Sequence, residues 1–155
     1  MANTQAMASS FKAELLTATH NFGTAPTRGT SAADTFKAAL YLATATVAAT
    51  VTVYSAVSPF LEVSGTGYTA GGVAITAWNA PTNSSTTVGF TTPTASITYT
   101  TVTLTTAFDA VLIYNNTQGN RAVSVHTFGS QTVTAGTFTL TMPTNNSTSA
   151  LIRLA

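Results

Sequence analysis

Residues 109–128 read DAVLIYNNTQGNRAVSVHTF, and this stretch decides the fold class. Its first part, 109–115, is apolar on both faces, which is typical of a central strand that is buried on two sides. Its middle part, 116–120, is a cluster of turn-forming residues. The last part, 121–128, alternates, with Val123 and Val125 inward and Ser124 and His126 on the other face. We therefore predict a β-hairpin at the centre of an antiparallel sheet.

Strand patterns continue after this hairpin. Residues 137–142 (TFTLTM) alternate threonine with Phe138, Leu140 and Met142, and 131–134 alternate likewise. Ala135 and Gly136 lie between the two runs, where a two-residue hairpin turn needs a glycine. A short terminal strand is predicted over 151–155.

Further strands are predicted before the hairpin, at 11–16, 35–42, 51–57, 73–78 and 96–104. The apolar residues of the last segment change phase, which predicts a β-bulge near Thr100 and Thr101. Phe11 and Leu15 are also spaced as on a helix, so a short helix over 11–18 is an alternative.

Eight to ten short strands predict an all-β fold, an antiparallel β-sandwich. The jelly roll is the favoured form, and an immunoglobulin-like sandwich is second. We expect a flexible N-terminal arm over 1–10 and a single domain over 11–155. Within it, 79–95 form a long loop without charge, which is a candidate contact loop because long irregular loops are often functional.

Charged side chains are scarce: five are basic and four acidic in 155 residues, or 6%, against about 25% in ordinary proteins. A net charge of +1 provides no basic face for nucleic acid and no polybasic segment for an anionic membrane. The absence of cysteine excludes disulfides and thiol chemistry. Residues 38–57 carry no charge over a length that could span a bilayer, but their threonines favour strands. We expect other chains to cover much of this surface.

No catalytic, cofactor-binding or metal site is predicted. His20 and His126 have no second ligand nearby in sequence, and the carboxylates Glu14, Asp34, Glu62 and Asp109 are scattered. Residues 65–70 (GTGYTA) match a dinucleotide-binding pattern formally, but a strand pattern follows where a helix is required, so we interpret them as a glycine-rich turn. Three aromatic residues fit either a sugar-stacking platform or, more commonly, the core: Tyr68, Trp78 and Tyr99.

The order of segments resembles small structural proteins of tailed bacteriophages that decorate or cement the capsid shell. The resemblance covers most of the chain, and its segments are FKAELL at 11–16, THNF at 19–22, DTFKAALY at 34–41, EVSGTGYTAGGV at 62–73, AVLIYN at 110–115, NRAV at 120–123, FG at 128–129, GTFTL at 136–140 and IRL at 152–154.

The resemblance implies a jelly-roll-like sandwich that is made in the host cytoplasm and assembles as a small oligomer, a dimer or trimer, on the outer capsid surface. The implied partner is the major capsid protein, and no enzyme activity is expected. The alternative is a carbohydrate-binding or host-adhesin module of the fibre type. A glycosidase-like enzyme is a third possibility, although no pair of carboxylates is indicated.

Overall fold

Two antiparallel sheets make up the part of the chain that the computed structural model describes, residues 2–16, 18–22, 32–55, 61–84 and 88–154. Its elements are β1 (Ala6–Met7), α1 (Ser9–Leu16), β2 (Phe36–Leu42), β3 (Val73–Ile75), β4 (Thr82–Asn83), β5 (Gly89–Thr91), β6 (Ile97–Asn115), β7 (Arg121–Leu140) and β8 (Ile152–Leu154). The five-stranded sheet has the order β1-β7-β6-β2-β3, and the three-stranded sheet has the order β4-β5-β8. The predicted all-β antiparallel sandwich is confirmed, and the jelly roll stays a prediction.

The predicted central hairpin is present and is longer than its sequence pattern. β6 joins the segments predicted at 96–104 and 109–115, and β7 joins those predicted at 121–128, 131–134 and 137–142. The hairpin curls back on itself, since the rings of Phe128 and Phe138 on the same strand have centroids 5.4 Å apart. Its inner residues, with those of β2, form a core that includes Leu40, Phe108 and Leu112, all fully buried.

Two bulges lie in the outer half of the hairpin. The register shifts between Tyr99 and Val102, and Thr101 has a left-handed φ of 53°, which confirms the bulge predicted near residues 100–101. Ala135 has a φ of 48°, but β7 continues through it to Leu140. The hairpin turn predicted at Ala135–Gly136 is therefore wrong, because the extra residue is accommodated as a bulge.

The N-terminal segment is held against the sheet and differs from the predicted flexible arm. Ala6 and Met7 pair with Val125 and Ser124. The Asn3 side chain donates to the carbonyl of Leu42 and to Asp109, and it accepts from the amide of Val47. A short polar side chain that satisfies this many partners fixes the segment.

The strand predicted at 11–16 is wrong, and the helical alternative is correct for α1 (Ser9–Leu16). Phe11 is fully buried and packs on His20 and Phe22 with ring centroids 4.8 and 6.0 Å away. This aromatic packing makes up for the marginal stability of an isolated helix of this length.

Two other predicted strands are shorter than expected. The pattern at 73–78 forms β3 and a single bridge from Trp78 to Pro93. The strand predicted at 51–57 is replaced by one bridge, Val53 to Arg121, and 56–57 lie outside the described residues. Residues 38–55 form β2 and turns, and the described residues contain no helix long and apolar enough to cross a membrane.

The segment predicted as a long loop at 79–95 contains β4 and β5, and β5 also pairs with β8. Residues 85–87 of this prediction lie outside the described residues. The pairing of β5 with β8 accounts for this difference. β8 is distant in sequence, so the backbone hydrogen bonds that it supplies cannot be recognised from residues 79–95 alone. This small sheet faces α1 across an apolar groove.

Candidate functional site

An apolar groove lies between α1 and the small sheet, with a volume of about 250 Å³. Phe11 and Leu15 of α1 line one wall, and Phe90 of β5 and Leu154 of β8 line the other. The groove is therefore lined by α1, by β8 and by residues 81–82 and 89–91 of the segment predicted as a contact loop.

A polar network lies behind this groove and connects α1 to the turn of the central hairpin. Glu14 receives hydrogen bonds from His20 Nε2 at 2.7 Å and from Arg121 at 2.6 Å. Asn115 bridges His20 Nδ1, at 3.0 Å, and Asp34, at 2.7 Å. Two of the four carboxylates that the sequence leaves scattered are therefore brought into one network.

The orientation of the Asn115 amide fixes the tautomer of His20. The Asn115 oxygen accepts from the backbone N–H groups of Thr117 and Gln118, so its nitrogen must face His20. His20 Nδ1 then accepts, and Nε2 carries the proton that is donated to Glu14. Both ring nitrogens are occupied and the side chain has 0% exposure, so this arrangement ties segments together and is not open to a substrate.

A second network surrounds Glu62 in the glycine-rich segment. The Glu62 carboxylate accepts from the hydroxyls of Tyr54 and Tyr68, at 2.6 and 2.7 Å, and from the amide of Gly71 at 2.8 Å. Tyr114 donates to the carbonyl of Gly71. Burial, reinforced by the charge of Glu62, raises the pKa of Tyr114 to about 12.

Burial and the charge of Glu62 also raise the pKa values of the other four tyrosines, and hydrogen bonds to Glu62 add to the effect at Tyr54 and Tyr68; the four are Tyr41, Tyr54, Tyr68 and Tyr99. All five tyrosines of the chain therefore stay protonated around one carboxylate. A half-buried carboxylate that is held by neutral donors fastens the segment to the sheet.

The glycines of this segment allow the backbone to approach neighbouring strands closely. A Cβ atom at Gly65 would lie 2.1 Å from the Thr103 carbonyl oxygen, and one at Gly72 would lie 1.7 Å from that of Ala38. Residues 65–70 are followed by β3 and not by a helix. They form a turn, as predicted from the sequence. This turn packs on β6 and β2.

The aromatic residues that could form a sugar-stacking platform are mostly in the core. Trp78 is 8% exposed and Tyr99 is 2% exposed. Trp78 packs against Phe22 and Phe36, with ring centroids 4.8 and 5.4 Å away. The hydroxyl of Tyr68 is bound to Glu62.

The remaining two titratable residues that the sequence analysis considered, Asp109 and His126, also have internal partners. Asp109 accepts a hydrogen bond from the Asn3 side-chain amide at 2.5 Å. His126 Nε2 lies 2.9 Å from Ser124 Oγ, and burial lowers the pKa of the His126 imidazole to about 4. All four carboxylates of the chain thus accept internal hydrogen bonds.

Among the described residues, no group of three or more His, Asp or Glu side chains could hold a metal ion. The exposed charged residues in this part of the chain are all basic: Lys12, Arg121 and Arg153. The described part of the surface is consequently even poorer in charge than the composition suggests.

The outer half of β7 forms the largest stretch of exposed strand. Between Gly129 and Thr139 its threonines are exposed, while Val133 and Phe138 point inward and pack on the core. No charged residue occurs in β7 after Arg121. In the described part of the chain, β1 is the other strand that pairs with β7 besides β6, and it reaches only Ser124 and Val125.

Comparisons with protein families, curated proteins and solved structures give no significant match to this chain.

Proposed function

We propose that this chain is a structural virion protein, a cement or decoration protein of a tailed-bacteriophage capsid, with a jelly-roll-like fold. It binds the major capsid protein on the outer shell and stabilises the shell by interface burial. Its working state is a small homo-oligomer, and it needs no cofactor.

This proposal rests on one observation, which is that the acidic side chains are bonded internally and the largest stretch of exposed strand carries no charge. The four carboxylates all accept internal hydrogen bonds, and the outer half of β7 exposes threonine in place of charged residues. Burying such a surface against a neighbour avoids the desolvation of unpaired charges, which costs several kcal/mol for each. The segment resemblance to phage decoration proteins supports the same role.

Two surfaces suit contacts with neighbouring chains. One is the outer half of β7, and the other is the apolar groove that includes Phe11 and Phe90. A stable contact with a neighbouring chain buries roughly 1,200–2,000 Å² in total. Binding to the shell would add to the stability of the folded chain by mass action.

A carbohydrate-binding or adhesin module has less support. Such a site needs aromatic faces in an open groove, whereas Trp78 and Tyr99 are buried. A glycan array would detect this alternative directly.

The test is a mass-spectrometric inventory of purified particles of a phage that encodes this chain, followed by a cryo-EM map. We expect the chain in a fixed ratio to the major capsid protein and as symmetric density on the outer shell. Expression in infected cells without incorporation into particles would overturn the proposal. Density confined to the neck or tail would overturn the capsid role.

A further inference from the structure

The outer edge of β7 is open from His126 to Leu140 within the described residues, since β1 ends its pairing at Val125. An open edge presents unpaired N–H and C=O groups, which are a template for another strand. Proteins usually protect such edges with lysine, proline, inward-pointing charge or a β-bulge. This edge has no lysine, proline or acidic side chain, and its protection is the bulge at Ala135.

The edge is also held in a defined shape. Val133, Phe138 and Leu140 are partly buried and pack on the core from the inner face, and β6 pairs along the opposite side of the strand. A strand that is already ordered loses little conformational entropy when it pairs.

The sequence of this edge is symmetric about its bulge. Residues 132–139 read TVTAGTFT, so a Thr–apolar–Thr run lies on each side of Ala135 and Gly136. The left-handed Ala135 keeps both runs in phase, with all four threonines exposed and both Val133 and Phe138 half-buried.

We infer that this edge pairs antiparallel with the same edge of a second copy of the chain, around a two-fold axis between Ala135 and Gly136. Thr132 then lies opposite Thr139 of the second copy, Thr134 opposite Thr137, and Val133 opposite Phe138. Thr–Thr and aromatic–β-branched pairs both stabilise antiparallel sheets.

The occupant is a second copy because the pattern matches itself. A two-fold interface requires that one patch be complementary to its own copy, and this segment brings no like charges together. The paired segment comprises eight residues, Thr132 to Thr139. The inference is independent of the capsid role, because the isolated chain is sufficient for the pairing.

The first test is sedimentation velocity of the full chain over a range of concentrations, for which we expect a dimer. Thr134→Lys with Thr137→Lys places lysine opposite lysine on both sides of the axis, and we expect the dissociation constant to rise roughly tenfold or more. Thr134→Lys with Thr137→Glu places lysine opposite glutamate twice and should restore the dimer to near its original affinity.

The matched control puts two lysines at Thr50 and Asn116, which are exposed and lie outside β7, and it should leave the dimer unchanged. A wild-type chain that stays monomeric overturns the inference. So does a dimer that the two lysines on β7 leave intact, or a folded Lys/Glu variant that is not restored.

If the charged variants do not fold, cross-linking provides a second test, because the chain has no cysteine. Thr134→Cys protein mixed with Thr137→Cys protein should form the mixed disulfide in preference to either homodisulfide, since directly opposite residues have Cα atoms within disulfide range. Absence of the mixed disulfide overturns the inference.

Discussion

Thr101 and Ala135 immediately precede the two members of one cross-strand pair, Val102 and Gly136, and both have a left-handed backbone. Each strand of the hairpin therefore inserts one extra residue at almost the same place. The two insertions cancel, and the pairing of Tyr99 with Phe138 has the same register as that of Leu104 with Val133. The apolar side chains of both strands stay inward across the bulges.

The strain at Thr101 is testable because a β-branched residue rarely adopts a φ of 53°. We expect Thr101→Gly to raise the free energy of unfolding by about 0.5–1 kcal/mol. Thr100→Gly is the control and should lower it by a similar amount, since Thr100 does not have a positive φ. Urea denaturation measures both free energies of unfolding. An equal decrease in the two variants would contradict the left-handed backbone conformation of Thr101.

The close approach at Gly72 predicts a large loss on substitution. Gly72 has a φ of 69°, and a Cβ there would lie 1.7 Å from the Ala38 carbonyl oxygen. We expect Gly72→Ala to lower the free energy of unfolding by more than about 3 kcal/mol. Gly119 has a similar φ of 62° in open space, so Gly119→Ala should cost only about 1–2 kcal/mol. Thermal melts with similar losses for both would contradict the close contact.

The network around Asn115 predicts different outcomes at two adjacent asparagines. Asn115→Asp removes the donor to His20 and places a second carboxylate beside Asp34, so we expect a loss of about 3–5 kcal/mol. Asn116 is exposed, and Asn116→Asp should change stability by no more than about 0.5 kcal/mol. Chemical denaturation at neutral pH measures both. A tolerated Asn115→Asp would argue against the network.

Glu62→Gln tests the tyrosine cluster. A glutamine amide cannot accept from all three donors, so we expect a loss of about 1–3 kcal/mol. Without the Glu62 charge, Tyr114 should ionise below its pKa of about 12, as followed by tyrosinate absorbance. Glu14→Gln removes a charge from the other network and should leave the tyrosine titration unchanged.

Alkaline stability follows from the same pKa values. Because the pKa of Tyr114 is raised in the folded chain from 10.0 to about 12, its stabilising contribution is present below pH 10 and is lost as the pH rises toward 12. The wild-type unfolding free energy should fall across this window, and by less in Glu62→Gln. An identical decline in the two proteins would exclude coupling to Glu62.

His126 predicts a loss of stability in acid. Its pKa falls from 6.5 to about 4 on folding, so the unfolded chain binds the proton first as the pH drops. The stabilising contribution is present above pH 6.5 and is lost as the pH falls toward 4, by about 3 kcal/mol. His126→Gln has no imidazole to titrate. The free energy of unfolding of the wild type should therefore fall by about 3 kcal/mol relative to that of the variant between pH 7 and pH 4. A constant difference would contradict the burial of the imidazole.

Much of the fold could be predicted because the alternation of apolar and polar side chains can be recognised within a single short segment of sequence. The central hairpin, the bulge at Thr101 and the terminal strand β8 follow from such patterns. The continuation of β7 could not be predicted, because Ala–Gly within an alternating segment suits both a turn and a bulge. The helix α1 was ambiguous, because Phe11 and Leu15 fit either element.

The network around Asn115 could not be predicted for another reason. Asn115 is 95 residues from His20 and 81 residues from Asp34, and only tertiary packing brings these side chains together. The one local signal was Asn115 at the end of a buried strand, followed by a turn in which an asparagine side chain can accept from backbone amides.

The docking of the N-terminal segment has a consequence for synthesis. Asn3 bonds to Asp109, 106 residues further along the chain, and Ala6 pairs with Val125, so these residues are synthesised long before their partners. β1 cannot take its place in the sheet until β7 has left the ribosome. Pairing across such long separations is slow, which leaves the edge of β7 beside Val125 exposed in the nascent protein.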